Sequence, residues 1–227
     1  MSSVFGTREE KLAAFRQAKL YLVISSEFTL DRPVPEIFEA AAAGGIRLIQ
    51  LREKNKGAKF LYETAMACRP IAEKYGVMMM IDDMVDVALL CGADGVHLGQ
   101  DDLPVDAARR IAPDLFLGCS THNMSEALAA KAAGADCINI GPIYDTATKA
   151  LPMKPLGVDA IRRIAPAVSP LPFSVMGGVK EHRFAELYGA GARLFAMVTE
   201  ITRAPDVRKK VEELMRAYRA AEKECEK

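Results

Sequence analysis

The hydrophobic positions of this chain follow a pattern that recurs four times: an alanine-rich stretch, a glycine and then an apolar run. The copies lie at residues 41–46, 89–96, 131–138 and 187–192. Glycine suits the left-handed conformation that closes a helix, so we expect Gly44, Gly92, Gly134 and Gly189 to end four helices. The apolar run after each glycine is typical of a strand in a parallel sheet that is covered on both faces.

The spacing of these glycines predicts the number of strands. They stand roughly 40 to 55 residues apart, about twice the length of one strand–helix unit, so a second unit lies in each interval. The predicted strands cover residues 20–25, 46–52, 77–82, 95–99, 115–120, 137–141, 173–177 and 194–198.

Eight strands that alternate with amphipathic helices in about 200 residues predict an α/β fold, the (β/α)8 or TIM barrel. The alternative is a doubly wound open sheet. That fold usually has a glycine-rich dinucleotide loop after its first strand, and Ser-Ser-Glu-Phe at residues 25–28 is not such a loop.

Composition predicts a single domain over residues 1–227. Half of the residues are hydrophobic, and the chain has no linker-like or low-complexity stretch. Within this domain we expect an extra N-terminal helix in residues 1–19, which would cover the barrel floor. The barrel would occupy residues 20–205, and a charged amphipathic helix would follow in residues 206–227.

Charge and cysteine content restrict the partners and the location. Thirty basic and thirty acidic residues cancel, so nothing predicts binding to nucleic acid or to an anionic membrane. No apolar run approaches the length of a membrane span, and the first residues do not resemble a signal peptide. The five cysteines lack Cys-x-x-Cys spacing, so we expect reduced packing residues of a cytoplasmic protein. The expected partners are small molecules, and a homo-oligomer is compatible with the sequence.

Basic residues and an amide follow the second predicted strand. Barrel enzymes place their sites at the C-terminal ends of the strands, so polar residues there have functional weight. Because strand side chains alternate, Gln50, Arg52 and Lys54 share one face. Two cations and an amide at a barrel mouth predict an anionic ligand, and the alternative is a solvated charged loop.

Acidic residues follow the third and fourth predicted strands. Asp82 and Asp83 end the third strand, where Asp83 alternatively caps the next helix, and Asp102 follows the fourth. Carboxylates beside basic groups are the parts of a magnesium–pyrophosphate site, because Mg²⁺ prefers oxygen ligands and commonly joins one or two carboxylates to substrate phosphates. On the fourth strand, His97 either fills the barrel interior or contacts a substrate ring.

Hydroxyl groups and one further cation follow the fifth and sixth strands. Ser120 ends the fifth strand, and Thr146, Thr148 and Lys149 lie on the loop after the sixth. These groups are typical phosphate donors. A catalytic triad built from Ser120, His122 and an aspartate is not predicted, because residues two apart on a strand tip have no special claim to triad geometry.

Backbone amides are expected to bind a second anion after strands seven and eight. Gly177 and Gly178 end the seventh strand, and Val198 and Thr199 end the eighth. Barrels commonly hold a phosphate at this position. Two separate anion sites on one mouth predict two phosphorylated ligands.

Taken in order, these strand ends resemble the thiamine phosphate synthase family. The matching segments are residues 50–54, 82–83, 95–102, 120–122, 141–149 and 177–178. The most specific of them are His-Leu-Gly-Gln-x-Asp and, further on, Gly-Pro-Ile-Tyr-x-Thr-x-Thr-Lys. The resemblance implies a magnesium-dependent transferase that joins 4-amino-5-hydroxymethyl-2-methylpyrimidine pyrophosphate to thiazole phosphate, giving thiamine phosphate and pyrophosphate.

The resemblance also implies a role for each matching residue. Asp82 and Asp102 would bind Mg²⁺; Arg52, Lys54, Ser120 and Lys149 would hold the pyrophosphate; Gln50 and His97 would face the aminopyrimidine; Thr146, Thr148, Gly177, Val198 and Thr199 would surround the thiazole phosphate. Family precedent is dissociative: pyrophosphate leaves first, and the thiazole nitrogen traps a pyrimidine methyl cation. Catalysis would then depend on stabilising the departing charge and aligning the two partners.

One position departs from the family pattern. The family usually has Asn-Asp-Asp where this chain has Ile81-Asp82-Asp83, and isoleucine cannot donate a hydrogen bond. We expect Ile81 to face the mouth, because alternation weakens at strand tips; strict alternation would instead direct it toward the helices. The departure keeps two alternatives open: a thiazole tautomerase that uses a histidine near His122, and a non-catalytic protein that binds thiazole or thiamine phosphate.

Overall fold

Eight parallel strands form a closed barrel in which each strand pairs with its neighbours in the sequence and β1 pairs with β8. The computed structural model describes residues 3–146 and 154–226. The strands are β1 Leu20–Ile24, β2 Leu48–Leu51, β3 Met78–Asp82, β4 Gly95–Leu98, β5 Phe116–Thr121, β6 Cys137–Ile140, β7 Phe173–Val175 and β8 Phe195–Met197. The predicted (β/α)8 barrel is confirmed, and all eight strands lie within or next to their predicted ranges.

Helices surround the barrel, and one precedes it. They are α1 Arg8–Gln17, α2 Val34–Gly44, α3 Ala58–Tyr75, α4 Val85–Leu90, α5 Val105–Ile111, α6 Met124–Ala132, α7 Asp159–Val168, α8 Phe184–Gly189, α9 Thr199–Thr202 and α10 Val207–Cys225. The predicted N-terminal and C-terminal helices are α1 and α10, which begin after the N-cap residues Thr7 and Asp206. In the part of the chain that the structure describes, no helix combines the length and hydrophobicity needed to cross a membrane.

Side-chain alternation along the strands divides the core into two layers. On β3, Met78 and Met80 point into the barrel, whereas Met79 and Ile81 join the layer between the strands and the helices. Asp82 then follows on the inner face, at the mouth. Alternation therefore continues to the tip of this strand, as the pleat of a strand requires.

The alternation corrects the expectation for Ile81. Its side chain is fully buried among apolar residues that include Val85 and Ala88 of α4. The expectation that Ile81 faces the mouth is wrong, because the ladder with β4 keeps residues 80–82 in regular register. An isoleucine on this face is ordinary packing, so the departure from the family pattern removes no side-chain donor from the mouth.

The floor of the barrel is closed by α1. Phe15 lies 5.2 Å from Phe116, centroid to centroid, and belongs to the apolar cluster inside the barrel. The buried Lys11 donates from Nζ to the carbonyl of Asp114 at 2.8 Å. Arg8 forms an ion pair with Asp136. Helix α1 therefore covers the floor, as the sequence predicts.

The helix-closing glycines differ from the prediction at two of the four positions. Gly92 and Gly134 have the expected positive φ, of 65° and 85°. At the other two junctions the left-handed residue is the next glycine, Gly45 or Gly191, because the helix continues through Gly44 or Gly189. Gly44 has a packing role instead, since a Cβ there would lie 2.8 Å from atoms of α10.

Two aspartates of the repeated Gly-Ala-Asp sequence tie neighbouring strands together at the floor. Asp94 accepts a hydrogen bond from the backbone N–H of Met79 at 2.8 Å, and Asp136 accepts one from the N–H of Leu117 at 2.8 Å. In each case the N–H belongs to the preceding strand. The sequence contains this signal as a repeated motif, but the contact becomes visible only in the barrel.

Candidate active site

Asp82 lies at the centre of a group of polar side chains at the mouth. It is the last residue of β3 and is 7% exposed. Its Oδ1 accepts a hydrogen bond from Gln50 Nε2, and Gln50 Oε1 in turn accepts one from the Tyr21 hydroxyl at 2.7 Å. The Tyr21–Gln50–Asp82 chain crosses three adjacent strands and fixes the orientation of the carboxylate.

The second oxygen of Asp82 faces two cations. Oδ2 lies 3.3 Å from Lys54 Nζ and 3.6 Å from Arg52 Nε. It is buried, and it accepts no well-directed hydrogen bond from the described residues. Burial raises the pKa of Asp82 above its usual value, although Lys54 and Arg52 oppose that shift. This oxygen is therefore a buried acceptor with unused capacity.

Asp83 occupies an unusual backbone conformation beside Asp82. Its φ is +60°, and its backbone N–H donates to the carbonyl of His97 at 2.9 Å. Burial, together with Asp82 and Asp102, raises the pKa of Asp83 to about 7, and its side chain forms an ion pair with Lys54. The alternative that Asp83 caps the next helix is wrong, because the N-cap of α4 is Met84 and no side chain caps it.

Asp102 completes a concentration of negative charge. Its Oδ2 accepts a hydrogen bond from the backbone N–H of Gly99 at 2.7 Å, and its side chain contacts Asp83. Burial lowers the pKa of Lys54, but the carboxylates of Asp82, Asp83 and Asp102 raise it by more, so the net shift is upward. The three carboxylates outnumber the two neighbouring cations, so a further positive charge would be electrostatically favoured at this position.

The chemistry of the carboxylates fits Mg²⁺. No three side chains of the metal-binding types converge into a ready-made site within residues 3–146 and 154–226. Mg²⁺ usually retains several waters and takes only one or two protein carboxylates, the remaining ligands being substrate phosphates. The buried Oδ2 of Asp82 and the neighbouring carboxylate of Asp102 match that donor set.

His97 connects this group of side chains to β5. It pairs with Asp82 on one side and with Gly118 on the other. Its Nε2 lies 3.0 Å from Ser120 Oγ. A Cβ added at Gly118 would lie 2.6 Å from His97 Nδ1, so only glycine leaves room for the ring in this position. Sequence analysis did not single out Gly118 as a site residue.

A second polar feature follows β7. Gly177 and Gly178 have φ values of +96° and +59°, which favour glycine. Added Cβ atoms would lie 2.5 Å from Pro142 Cβ and 2.4 Å from the carbonyl oxygen of Asp145. The N–H groups of Gly177 and Gly178 have no acceptor among the described residues. Consecutive unpaired N–H groups of this kind bind anions.

A cleft joins the two features. It is partly open to solvent. Arg52 and Ser120 line it from the carboxylate side, and Gly177, Val198 and Thr199 line it from the other. A molecule in the cleft would therefore contact both regions.

Residues 20–201 match the model of a family described as thiamine monophosphate synthase. The chain belongs to that family. It is 38% identical to a thiamine-phosphate synthase of Caldicellulosiruptor bescii, over 96% of this chain and 99% of the relative. It is 40% identical to one of Pelotomaculum thermopropionicum, over 91% and 95%.

A solved structure agrees with this assignment. The thiamine phosphate pyrophosphorylase from Pyrococcus furiosus superposes with a TM-score of 0.83 at 31% identity, covering 92% of this chain and 98% of that one. The family and the synthase function predicted from the sequence are confirmed.

Because the chain belongs to the thiamine monophosphate synthase family, the predicted site residues are expected to form one site. The structure brings Gln50, Arg52, Lys54, Asp82, His97, Asp102 and Ser120 into one connected group. Thr146, Gly177, Val198 and Thr199 line the cleft. Thr148 and Lys149 lie outside the described residues. The individual roles of these residues stay predictions.

Glu126 was missed by sequence analysis. His122 lines the cleft, and Glu126 Oε2 contacts both its Nδ1, at 2.9 Å, and its backbone N–H, at 2.8 Å. The available signal was the spacing: Asn123 caps α6, which places a glutamate three residues later at the start of the helix.

Proposed function

We propose that this protein condenses the pyrimidine pyrophosphate with thiazole phosphate, using Mg²⁺ held by Asp82 and Asp102. One observation carries the proposal: a single cleft extends from Arg52, which lies 3.6 Å from Asp82, to a glycine loop with unpaired N–H groups. The reaction requires two anionic groups to be held with their reacting atoms adjacent, and this cleft offers one anion site on each side.

The cations beside Asp82 suit a departing pyrophosphate. Arg52 and Lys54 carry positive charge at the mouth; the Arg52 side chain is largely buried, and the Lys54 side chain is 40% exposed. In this environment they would stabilise the charge that accumulates on the leaving group more strongly than water does. Ser120 would donate a hydroxyl hydrogen bond, and Lys149 would contribute a further cation by family resemblance.

The carboxylates would supply the protein ligands of the metal. When bound, Mg²⁺ would neutralise pyrophosphate oxygens and so make the group a better leaving group. Asp82 would offer its buried Oδ2, while Gln50 holds the other oxygen and keeps the carboxylate aimed at the mouth. Asp102 would approach from the loop after β4.

The remaining residues would orient the two substrates. His97 and Gln50 present polar groups on the inner face of β4 and β2, where the aminopyrimidine would lie. Thr146, Thr148, Gly177, Val198 and Thr199 would surround the thiazole phosphate. No residue has to act as a nucleophile, so alignment and charge stabilisation supply the rate enhancement.

The test is a direct synthesis. Incubation with both substrates and Mg²⁺ should give thiamine phosphate and pyrophosphate, detected by liquid chromatography and by a pyrophosphate assay. Omission of either substrate, or addition of EDTA, should abolish both products. Absence of thiamine phosphate under all metal conditions would overturn the proposal.

Two further measurements address the alternatives. Isomerisation of thiazole carboxylate phosphate, abolished in His122→Ala, would identify a tautomerase. Thermal stabilisation by thiamine phosphate without turnover would identify a binding protein.

We further propose a cytoplasmic location, which the free thiols of the buried Cys68, Cys91, Cys119 and Cys137 support.

A further inference from the structure

The glycine loop after β7 is held from behind by a stack of three side chains. We define this stack as Tyr144, on the loop after β6, with Arg183 and Glu186 from the start of α8. The guanidinium carbon of Arg183 lies 3.7 Å from the centroid of the Tyr144 ring. The Tyr144 hydroxyl donates to Glu186 Oε2 at 2.7 Å. None of the three was predicted as a site residue.

Arg183 also contacts the glycine loop directly. Its Nη1 donates a hydrogen bond to the carbonyl oxygen of Gly178 at 2.8 Å. Tyr144 contributes a second link, because its backbone N–H donates to the carbonyl of Gly177 at 3.1 Å. The guanidinium therefore contacts a flat ring and donates to a peptide carbonyl, and its planar shape suits both contacts.

The contact with Gly178 determines which way one peptide group faces. The Gly178–Val179 peptide is trans, so its carbonyl and its N–H point in opposite directions. Arg183 occupies the carbonyl side. Gly178 and Val179 both line the cleft, and the Val179 N–H has no acceptor among the described residues. The N–H is left to face the cleft, and a charged donor on the carbonyl polarises it further.

A peptide that follows a glycine needs such a restraint. Gly178 lacks the Cβ atom that would restrict rotation on its side of the peptide, so the Gly178–Val179 peptide could otherwise turn its carbonyl toward the cleft. A carbonyl oxygen in that place would repel a phosphate. The Tyr144 ring and Glu186 hold the guanidinium in the orientation that prevents this rotation.

We propose that Arg183, supported by Tyr144 and Glu186, is a positioning residue for the phosphate of the thiazole substrate, because it fixes the Val179 N–H toward the cleft. This inference rests on the proposed function for the identity of the phosphate. Arg183 itself stands behind the loop and does not line the cleft.

The test compares substrates with and without phosphate. In Arg183→Met, the KM for thiazole phosphate should rise about tenfold or more, the factor that corresponds to one hydrogen bond to a charged group. The KM for the pyrimidine pyrophosphate should change less than about twofold. With the same thiazole lacking its phosphate, the variant and the unmodified protein should perform alike. A purely structural role would affect all three substrates.

Two variants act as a control and a safeguard. Arg208→Met removes an exposed arginine that pairs with Glu212 on α10, and it should leave every KM unchanged. Tyr144→Leu removes the ring beneath the guanidinium but retains Arg183, and it should raise the KM for thiazole phosphate about threefold, with the same selectivity. If Arg183→Met fails to fold, the Tyr144→Leu variant tests the positioning role of Arg183 in its place. An equal rise for the phosphorylated and unphosphorylated thiazoles would overturn the inference.

A binding measurement separates this inference from the proposed function. Inorganic phosphate is titrated calorimetrically into the unmodified protein and into Arg183→Met. Weaker phosphate binding by the variant supports the role of Arg183, whether or not thiamine phosphate is formed. Equal binding, or none by the unmodified protein, overturns it. Failure to form thiamine phosphate, with the difference in phosphate binding intact, would count against the proposed function alone.

Discussion

The imidazole of His97 lies against Gly118 on the neighbouring strand, in space that any side chain at position 118 would occupy. A Cβ there would be 2.6 Å from His97 Nδ1 and 3.2 Å from Cys137 Sγ. The ring is thereby directed so that its Nε2 lies 3.0 Å from Ser120 Oγ. Glycine at position 118 is thus required for the geometry of a residue that belongs to another strand.

Gly118→Ala should displace the imidazole. Overpacking of this kind typically costs about 1–3 kcal/mol of stability, and a displacement of 1 Å at a site can reduce the rate about a hundredfold. We expect kcat/KM to fall at least about tenfold while the protein remains folded at 25 °C. Steady-state kinetics and urea unfolding measure both effects.

Gly57→Ala is the matched control. Gly57 has a φ of −77°, and a Cβ there would have no atom within 4 Å. It should leave kcat/KM unchanged, and because Gly57 is the N-cap of α3, where alanine is less favourable than glycine, it should lower the free energy of unfolding by about 1 kcal/mol or less. Unchanged kinetics in Gly118→Ala would mean that the position of the His97 ring is unimportant.

Ile81→Asn should destabilise the protein without improving catalysis. The side chain is fully buried in the layer between strands and helices, where an amide would lose apolar contacts and find no partner. We expect a loss of at least about 3 kcal/mol in the free energy of unfolding. Ile81→Val, which keeps the apolar character, should lose only about 0.5–1.5 kcal/mol.

The kinetics of the Ile81 variants carry the functional information. Neither variant should alter the KM for the pyrimidine pyrophosphate, measured at a temperature where both remain folded. An increase in kcat/KM for Ile81→Asn would show that this side chain reaches the mouth and does not lie in the layer between the strands and the helices.

Asp102→Asn should increase the requirement for magnesium. The amide keeps an oxygen that can accept the Gly99 N–H, but it removes one negative charge from the group that contains Asp82 and Asp83. We expect the Mg²⁺ concentration for half-maximal rate to rise about tenfold or more. Melting temperature should stay the same or increase, because repulsion between carboxylates is relieved.

Asp101→Asn tests whether this effect is specific to the site. Asp101 precedes Asp102 and is exposed to solvent. The same loss of charge at this position should leave the magnesium titration unchanged. Full activity of Asp102→Asn without additional metal would remove Asp102 from the proposed ligands.

Asp136→Ala should reduce stability and leave the substrate KM values unchanged. Asp136 accepts hydrogen bonds from Arg109 Nη2 at 2.6 Å and from the Leu117 N–H at 2.8 Å, at the floor of the barrel. Removing it leaves a backbone donor and a half-buried cation without their partner, which should cost about 3–5 kcal/mol. Thermal and urea unfolding measure the loss.

Arg8→Ala provides the comparison. Arg8 pairs with the same aspartate, but 45% of its side chain is exposed, so its removal should cost at most about 1 kcal/mol. Similar losses for the two variants would mean that the exposed ion pair, rather than the tie between strands, accounts for the role of Asp136.

The sequence by itself determined the barrel and predicted a candidate site at the C-terminal ends of its strands. The glycine-marked repeats are local signals whose spacing is sufficient to predict eight strands, and the alternation of side chains along a strand is a second local signal. The same alternation places Gln50, Asp82 and His97 on the inner face of their strands at the mouth, because the C-terminal ends of parallel strands meet on one side of a barrel.

Only the tertiary structure decided which glycine closes each helix and which side chains act together. Gly44 lies within the helix and leaves room for α10, and Gly45 closes the helix instead. The contacts of Arg183 with Tyr144 and of His97 with Gly118 join residues on different elements. Such contacts depend on the distances between atoms once the barrel has closed, and no local pattern of hydrophobic and polar residues encodes those distances.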